Sequence, residues 1–413
     1  MQRRDVLHML AAGAGAGLLL PIGRHAWAAT NPAAPTGHKL IVVMLRGALD
    51  GLSVVAPVRD PNYARLRPTI GLAPSGQEGG GLDLDERFAL HPALAPLLPL
   101  WQQNKLAFIH ASGSPDPSRS HFDAQDYMES ATPGRKNTPD GWLNRLLAAL
   151  PGAGSPTRAV SMGQEMPRIL SGAAAAVNLG NGKAVTRANA LDRPALGDAF
   201  DQLYAGNARF GRVYQEGRAA HKSVMSASMN MEMQMADGGA PLPNGFPDDA
   251  ARLGTMMRND PGIQLAFIGL GGWDTHINQG GATGALAGRL APLGLGLATL
   301  AQRLGPVFED TTIVVMSEFG RTARENGNRG TDHGHGNVMW VLGGGVAGGK
   351  VYGRWQGLAD DQLHEGRDLP VSTDFRSVLA HIGERHLGLS GQQLARVFPE
   401  LPRDGLGFQL LRA

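Results

Sequence analysis

Two pairs of side chains that commonly bind metals stand out in the sequence. Asp274 and His276 stand two residues apart in a Gly-Gly-Trp-Asp-Thr-His segment, and His333 and His335 stand two apart in Asp-His-Gly-His-Gly. On extended backbone, side chains two residues apart point the same way, so each pair can reach one ion. Imidazole with carboxylate is a common ligand set for zinc, manganese, iron or nickel. These residues therefore predict a metal site.

Further polar residues from distant parts of the chain lie next to apolar runs of strand length. They are Arg46, Asp50, Ser118, Arg119, Ser120, His121, Glu318 and Arg321. Taken singly, an aspartate in a turn or a histidine near a helix start is readily explained by local capping. Ligand sites in open α/β sheets, however, form at the carboxyl ends of strands. Together, these residues predict one polar centre at such an edge.

The elements that must position this centre can be read from hydrophobic patterning. Near-continuous apolar runs occur at Leu40–Leu45, Leu106–His110, Ile263–Leu270, Thr311–Ser317 and Val338–Leu342. Runs of this kind are typical of strands that are buried on both faces of a parallel sheet. Helical spacing appears over Pro92–Gln103, Gly284–Leu304 and Thr373–His386. The alternation predicts an α/β fold, a mostly parallel sheet with helices on both faces.

Composition excludes several function classes. The chain has 413 residues and no Cys, so thiolate-bound zinc, iron–sulfur clusters, disulfides and a Cys nucleophile are all excluded. Any metal must therefore be bound by His and carboxylate side chains. The 38 Lys and Arg residues nearly balance the 36 Asp and Glu residues, which argues against binding to nucleic acid.

Residues 1–28 resemble a secretory signal. Arg3 and Arg4 precede an apolar stretch from Val6 to Ile22, and Ala26-Trp27-Ala28 forms a small-residue cleavage site. The Arg pair predicts export by the twin-arginine translocase to the periplasm or beyond, although Gln2 and Val6 depart from the usual motif. The alternatives are a general secretory signal or an uncleaved anchor. No later apolar run reaches about 18 residues, so no stable membrane span is expected in the mature chain.

The mature chain, residues 29–413, is expected to form one α/β domain with a helical insertion at about 170–260. This Ala-rich segment contains five methionines between 225 and 235. Thioethers favour Cu(I), so one interpretation is a copper site. The alternative is an adaptable apolar helix face, since Met225, Met229 and Met233 are spaced four residues apart.

Five ordered motifs resemble the bacterial family catalogued as domain of unknown function 1501. They are Arg46-Gly-Ala-Leu-Asp-Gly, Ser120-His-Phe-Asp-Ala-Gln-Asp, Gly-Gly-Trp-Asp274-Thr-His, Ser317-Glu-Phe-Gly-Arg-Thr and Gly-Thr-Asp332-His-Gly. The similarity covers residues 38–390, and the family in turn looks like a distant branch of the alkaline phosphatase and sulfatase superfamily. The resemblance therefore implies an alkaline phosphatase/sulfatase-like core.

The superfamily resemblance also implies roles for particular residues. Asp50 would be a metal ligand after the first strand, and Ser118 or Ser120 would lie near the nucleophile position at a helix N-terminus. Phe319 stands where a His ligand of a second metal would be, and the Asp–His spacing is shorter than in the superfamily. The resemblance therefore leaves one metal or none as the alternatives.

The first functional hypothesis is a metal-dependent hydrolase of phosphate or sulfate esters. Its divalent metal, zinc, manganese or similar, would draw on Asp50, Asp274, His276, Glu318, His333 and His335. Arg46, Arg119 or Arg321 would bind the small anionic substrate. Ser118 or Ser120 would be the nucleophile and His121 an acid–base group. The alternative is a non-catalytic periplasmic protein that uses the same fold to bind an exported partner, a glycan or a metal.

Overall fold

The computed structural model describes residues 37–152, 156–180 and 236–412. The predicted signal at 1–28, the methionines between 225 and 235 and the centre of the predicted insertion lie outside these residues. Of the predicted insertion, the described flanks contain the short strand Val177–Leu179 and the helix Phe246–Asn259. In the described part of the chain, none of the helices is both long and apolar enough to cross a membrane.

The strands build one large sheet and one small sheet. They are β1 (Lys39–Leu45), β2 (Val55–Ala56), β3 (Leu82–Asp83), β4 (Ala89–Leu90), β5 (Leu106–Gly113), β6 (Ala159–Met162), β7 (Val177–Leu179), β8 (Leu265–Leu270), β9 (Thr311–Ser317), β10 (Asn337–Gly343), β11 (Lys350–Tyr352) and β12 (Thr373–Asp374). The large sheet has the order β11-β5-β10-β9-β1-β8-β6-β7, with β12 also pairing β5. Strands β2, β4 and β3 form the small sheet.

The large sheet is mostly parallel, as predicted. Central β1 runs parallel to both of its neighbours, β8 and β9, with Val42 opposite Phe267 and Val314. In the described part of the sheet only β10 runs antiparallel to the strands beside it. As a result, the segment that precedes β10 lies at the same edge as the segments that follow β1, β5, β8 and β9.

Helices cover both faces of this sheet, which confirms the predicted architecture. They are α1 (Gly51–Val54), α2 (Tyr63–Leu66), α3 (Leu98–Gln102), α4 (His121–Ser130), α5 (Trp142–Ala149), α6 (Phe246–Asn259), α7 (Ala285–Leu304), α8 (Phe375–Arg385) and α9 (Gly391–Val397). Side chains of β1 alternate between the faces. Ile41 and Val43 join the core against α6 and α7, whereas Leu40 and Val42 join the core against α5 and α8.

The predicted helices are present, with two adjustments that local chemistry explains. The segment predicted to be helical from Pro92 begins as a 3₁₀ helix (Pro92–Leu97) and continues as α3. Pro96 lies inside the 3₁₀ helix and lacks the amide hydrogen that an α-helical turn would need at this position. The segment predicted from Thr373 begins as strand β12, and α8 starts only at Phe375, where the Asp374 carboxylate accepts from the Arg376 amide at 2.8 Å.

The buried His110 on β5 predicts acid sensitivity of the fold. Its Nε2 lies 2.8 Å from the Val55 carbonyl oxygen, and burial lowers its pKa from 6.5 to about 4. The unfolded chain therefore takes up this proton first as pH falls, so the stabilisation that is complete above pH 6.5 is lost towards pH 4. We expect the free energy of unfolding to fall by about 3 kcal/mol less in His110→Gln than in the wild type as the pH is lowered from 8 to 4. The measurement is urea unfolding across this pH range. Equal pH dependence in the two proteins would contradict this assignment.

Candidate metal centre

Four side chains converge at the carboxyl edge of the large sheet. The Nε2 atom of His333 lies 2.9 Å from Nε2 of His121 and 3.0 Å from Nε2 of His276. The Oδ1 atom of Asp274 lies 3.0 Å from the His276 Nε2, 3.4 Å from the His333 Nε2 and 3.7 Å from the His121 Nε2. We call these four residues the His–Asp cluster.

The outer ring nitrogen of each histidine faces a hydrogen-bond acceptor. His121 Nδ1 lies 2.8 Å from the Glu318 carboxylate, His276 Nδ1 lies 3.2 Å from the Asp332 carboxylate, and His333 Nδ1 lies 2.9 Å from the Arg119 carbonyl oxygen. Because these acceptors have no hydrogen to give, each Nδ1 is the donor. This is the arrangement by which proteins orient metal-binding histidines, and it turns the Nε2 atoms inward.

The donor set fits a divalent transition-metal ion. In a tetrahedral zinc site with bonds of about 2.0–2.1 Å, the ligand atoms lie about 3.3 Å apart. The spacings that join His333 and Asp274 to the other donors, 2.9 to 3.7 Å, are close to this value. The buried Oδ2 of Asp274 has no hydrogen-bond partner in the described part of the chain. The Nε2 atom of His333 has a single lone pair, but it lies close to two other Nε2 atoms. Hydrogen bonds can therefore satisfy only part of these contacts. A cation bound by His121, Asp274 and His333, whose ligand atoms all lie within 4.8 Å of one another, would satisfy their contacts together. His276 lies beside Asp274 and His333 as a further donor.

Electrostatics at the His–Asp cluster favour the ionised carboxylates. Burial tends to raise the pKa of Asp274, but its contacts with the three histidine rings and the charge of Arg321 outweigh burial and lower the pKa. Burial also tends to lower the pKa of His121, yet Asp274 and Glu318 raise it to about 9. The hydrogen bond to Asp274 raises the pKa of His276, whereas burial lowers that of His333. Any cation at the cluster must therefore displace protons from His121 and His276.

Separate elements supply the four residues. His121 is the first residue of α4, Asp274 and His276 follow β8, and His333 precedes the antiparallel β10. The loop after β1 can lie close to Asp274 because Gly47 has no side chain. Its φ is +113°, and an added Cβ would lie 2.7 Å from the backbone nitrogen of Asp274. The Gly47 amide also donates to Glu318 at 2.8 Å.

Two of the predicted metal ligands lie elsewhere. The ring of His335 packs at a tilt against that of His364, with ring centroids 4.7 Å apart. The chain also bends at His335 instead of remaining extended between the two histidines. Asp50 is buried against Arg67, with Nη1–Oδ2 and Nη2–Oδ1 distances of 2.6 and 3.0 Å. Glu318 touches the cluster through the Nδ1 of His121. His121, predicted as an acid–base group, lies among the inward-facing donors instead.

The arginines predicted to bind substrate have partners within the protein. Arg46 pairs with the buried Glu129 at 2.7 Å, and Arg119 pairs with Glu365 and Asp368 at 2.7 and 2.6 Å. Arg321 is almost fully buried, and its guanidinium donates to Asp274 and to carbonyl oxygens of the loop after β1. Arg119 also borders the cavity beside the cluster.

The two predicted nucleophiles shape the start of α4. The Ser120 hydroxyl accepts from the Asp123 amide at 3.4 Å, and the Ser118 hydroxyl accepts from the Ser120 amide at 3.3 Å. Neither hydroxyl hydrogen-bonds to His121 in the described structure. Ser120 therefore caps α4, which is a common structural role of Ser at this position, whereas Ser118 stabilises the turn that precedes the helix.

Several residues at the site carried no signal in the sequence. Arg67 and Gln279 contact Asp50 from segments without any motif, and Arg367 reaches the His333 carbonyl oxygen. A cavity of about 430 Å³ opens beside the cluster; it is lined by Arg119, His276, Asn326, Asn328, Asp332, His333 and Arg367. Two guanidinium groups thus border the entrance to His276 and His333.

Comparisons with known proteins identify a family and distant structural relatives. The sequence model of the family described as "Protein of unknown function (DUF1501)" matches residues 38–398. No curated protein matches the sequence. The chain is similar to the structure of a protein in the alkaline phosphatase superfamily from Vibrio parahaemolyticus, with 11% identity and a TM-score of 0.37, over 78% of this chain and 64% of that one.

Two further structures are similar at the same distant level. One is Ps i-CgsB in complex with k-i-k-neocarrahexaose, with 11% identity and a TM-score of 0.42, over 86% of this chain and 73% of that one. The other is the lipoteichoic acid synthase LtaP from Listeria monocytogenes, with 10% identity and a TM-score of 0.38, over 87% of this chain and 74% of that one.

Proposed function

The chain belongs to the DUF1501 family of proteins of unknown function, and from its His–Asp cluster we propose that it binds one divalent transition-metal ion and hydrolyses phosphate or sulfate esters. The observation that carries this proposal is that three histidine Nε2 atoms each lie within 3.7 Å of one carboxylate oxygen of Asp274. Each histidine is held in the metal-binding tautomer by an acceptor behind it. A purely structural cluster has no need to bring three ring nitrogens around one carboxylate oxygen.

The surroundings of the cluster support an anionic substrate. Arg119 and Arg367 border the cavity that leads to His276 and His333, and the side chains of both are partly exposed. Guanidinium groups pair well with phosphate and sulfate oxygens. A cation bound at such a cluster polarises an ester oxygen and makes water nucleophilic near neutral pH. Because Ser120 caps α4 and the Ser118 hydroxyl accepts from the Ser120 amide, we propose water as the nucleophile.

Metal content and ester hydrolysis of the full-length chain test this proposal. Protein produced in an exporting cell is expected to contain about one zinc, manganese or iron ion per chain by elemental analysis. It should hydrolyse an aryl phosphate or an aryl sulfate, lose that activity with a chelator and regain it when metal is added back. A chain without metal would contradict the metal centre. A metal-loaded chain that hydrolyses neither ester would contradict the hydrolase and favour the non-catalytic alternative.

A further inference from the structure

The buried amide of Gln279 joins the two loops that carry three residues of the His–Asp cluster. Its Oε1 accepts hydrogen bonds from the hydroxyls of Thr275 at 2.7 Å and Thr331 at 3.0 Å. Thr275 stands between Asp274 and His276, and Thr331 stands two residues before His333. One side chain therefore holds both ligand-bearing loops at once.

The backbones of the same two loops run against each other. The Thr331 amide donates to the Thr275 carbonyl at 3.1 Å, and the Gln279 amide donates to the Arg329 carbonyl at 2.9 Å. At Gly330 the contact is so close that an added Cβ would lie 2.3 Å from the carbonyl oxygen of His276. A shift of one loop is therefore passed directly to the other.

The other end of Gln279 is fixed to a buried ion pair. Its Nε2 donates to Asp50 at 2.6 Å, and Asp50 is held on both oxygens by Arg67. Arg67 in turn donates to the carbonyl oxygens of Thr322 and Ala323, both at 2.9 Å. Gln279, Asp50 and Arg67 are almost fully buried. Low local dielectric strengthens such hydrogen bonds and makes any unpaired member costly.

We propose that Gln279 is a positioning residue of the metal centre, which sets the spacing of Asp274, His276 and His333 by tying their loops to the Asp50–Arg67 pair. This inference rests on the proposed function, because it presupposes a metal at the His–Asp cluster. Gln279 itself does not touch the cluster. Its effect passes through Thr275 and Thr331.

The test replaces Gln279 by methionine, which has similar length but neither hydrogen-bonding group. The matched control is Gln264→Met, since Gln264 is also buried and accepts from Arg158 at 2.6 and 2.9 Å. Each metal-free protein is titrated with Co²⁺ against a competing chelator, and the visible spectrum of the bound ion is recorded. We expect Gln279→Met to bind Co²⁺ about 10- to 100-fold more weakly and with an altered spectrum. Gln264→Met should match the wild type in both readouts.

A second variant keeps the proposal testable if Gln279→Met does not fold. Thr331→Val removes only one hydroxyl donor to Gln279 and is expected to shift the Co²⁺ spectrum in the same direction with a smaller loss of affinity. Wild-type affinity and spectrum in the folded Gln279 variant, or in Thr331→Val if only that one folds, would overturn the positioning role while leaving the proposed function intact. A wild-type chain that binds no Co²⁺ would overturn both.

Discussion

Replacing His333 by alanine is expected to abolish metal binding and ester hydrolysis. His333 is central to the His–Asp cluster, since its Nε2 is within 3.0 Å of both other Nε2 atoms and within 3.4 Å of Asp274. Loss of residues that merely orient ligands typically weakens metal binding about 10- to 100-fold, so loss of a ligand should exceed ~100-fold. The measurements are metal stoichiometry after dialysis and the rate of aryl ester hydrolysis.

His335→Ala is the matched control for this variant. It removes the same type of side chain two residues away, but in the described structure the His335 ring packs against His364 and not against the cluster. We expect the His335 variant to retain about one metal ion per chain. Equal loss of metal in the two variants would show that the fold, and not the cluster, was being disturbed. Retention of metal by His333→Ala would remove His333 from the ligand set.

Replacing Arg321 by lysine is expected to destabilise the fold by about 3–5 kcal/mol. The Arg321 guanidinium donates to Asp274 and to the carbonyl oxygens of Ala48, Gly47 and Thr331. Lysine retains the charge, but its single ammonium cannot satisfy acceptors that lie in several directions. Some buried carbonyl oxygens would be left without a hydrogen bond, and the negative charge of Asp274 would be less fully compensated. The measurement is urea unfolding in the presence of a chelator, so that bound metal contributes nothing.

The neighbouring Arg324 provides the control for Arg321. Arg324 is exposed and its side chain makes no hydrogen bond or ion pair with the described residues. Arg324→Lys should therefore change the free energy of unfolding by less than about 0.5 kcal/mol. A similarly small change for Arg321→Lys would mean that its hydrogen bonds contribute little to stability.

The sequence predicted the sheet well because burial on both faces leaves a clear pattern. Apolar runs marked β1, β5, β8, β9 and β10 to within a few residues, since a strand covered by helices on both sides has no polar positions to break the run. It also selected Asp274, His276, His333 and His121 for one centre. Those residues follow or precede strands whose ends must meet at one edge.

The sequence could not predict which residues far apart along the chain would contact each other. Asp50 looked like a metal ligand, but Arg67 from an unmarked segment compensates its charge and Gln279 from another donates a hydrogen bond to it. His335 looked equivalent to His333 until the bend at that position turned it towards His364. Arg46 and Arg321 looked free to bind substrate, although both are paired with buried carboxylates.

By itself, then, the sequence determined which segments are strands and helices and which polar residues gather at one edge of the sheet. Those properties depend on local hydrophobic periodicity and on the fixed direction of parallel strands, which the chain carries in short stretches. Only the tertiary structure decided which of the gathered residues form the His–Asp cluster and which pair with one another. That choice depends on charge compensation and burial between residues up to hundreds of positions apart, and no local pattern records it.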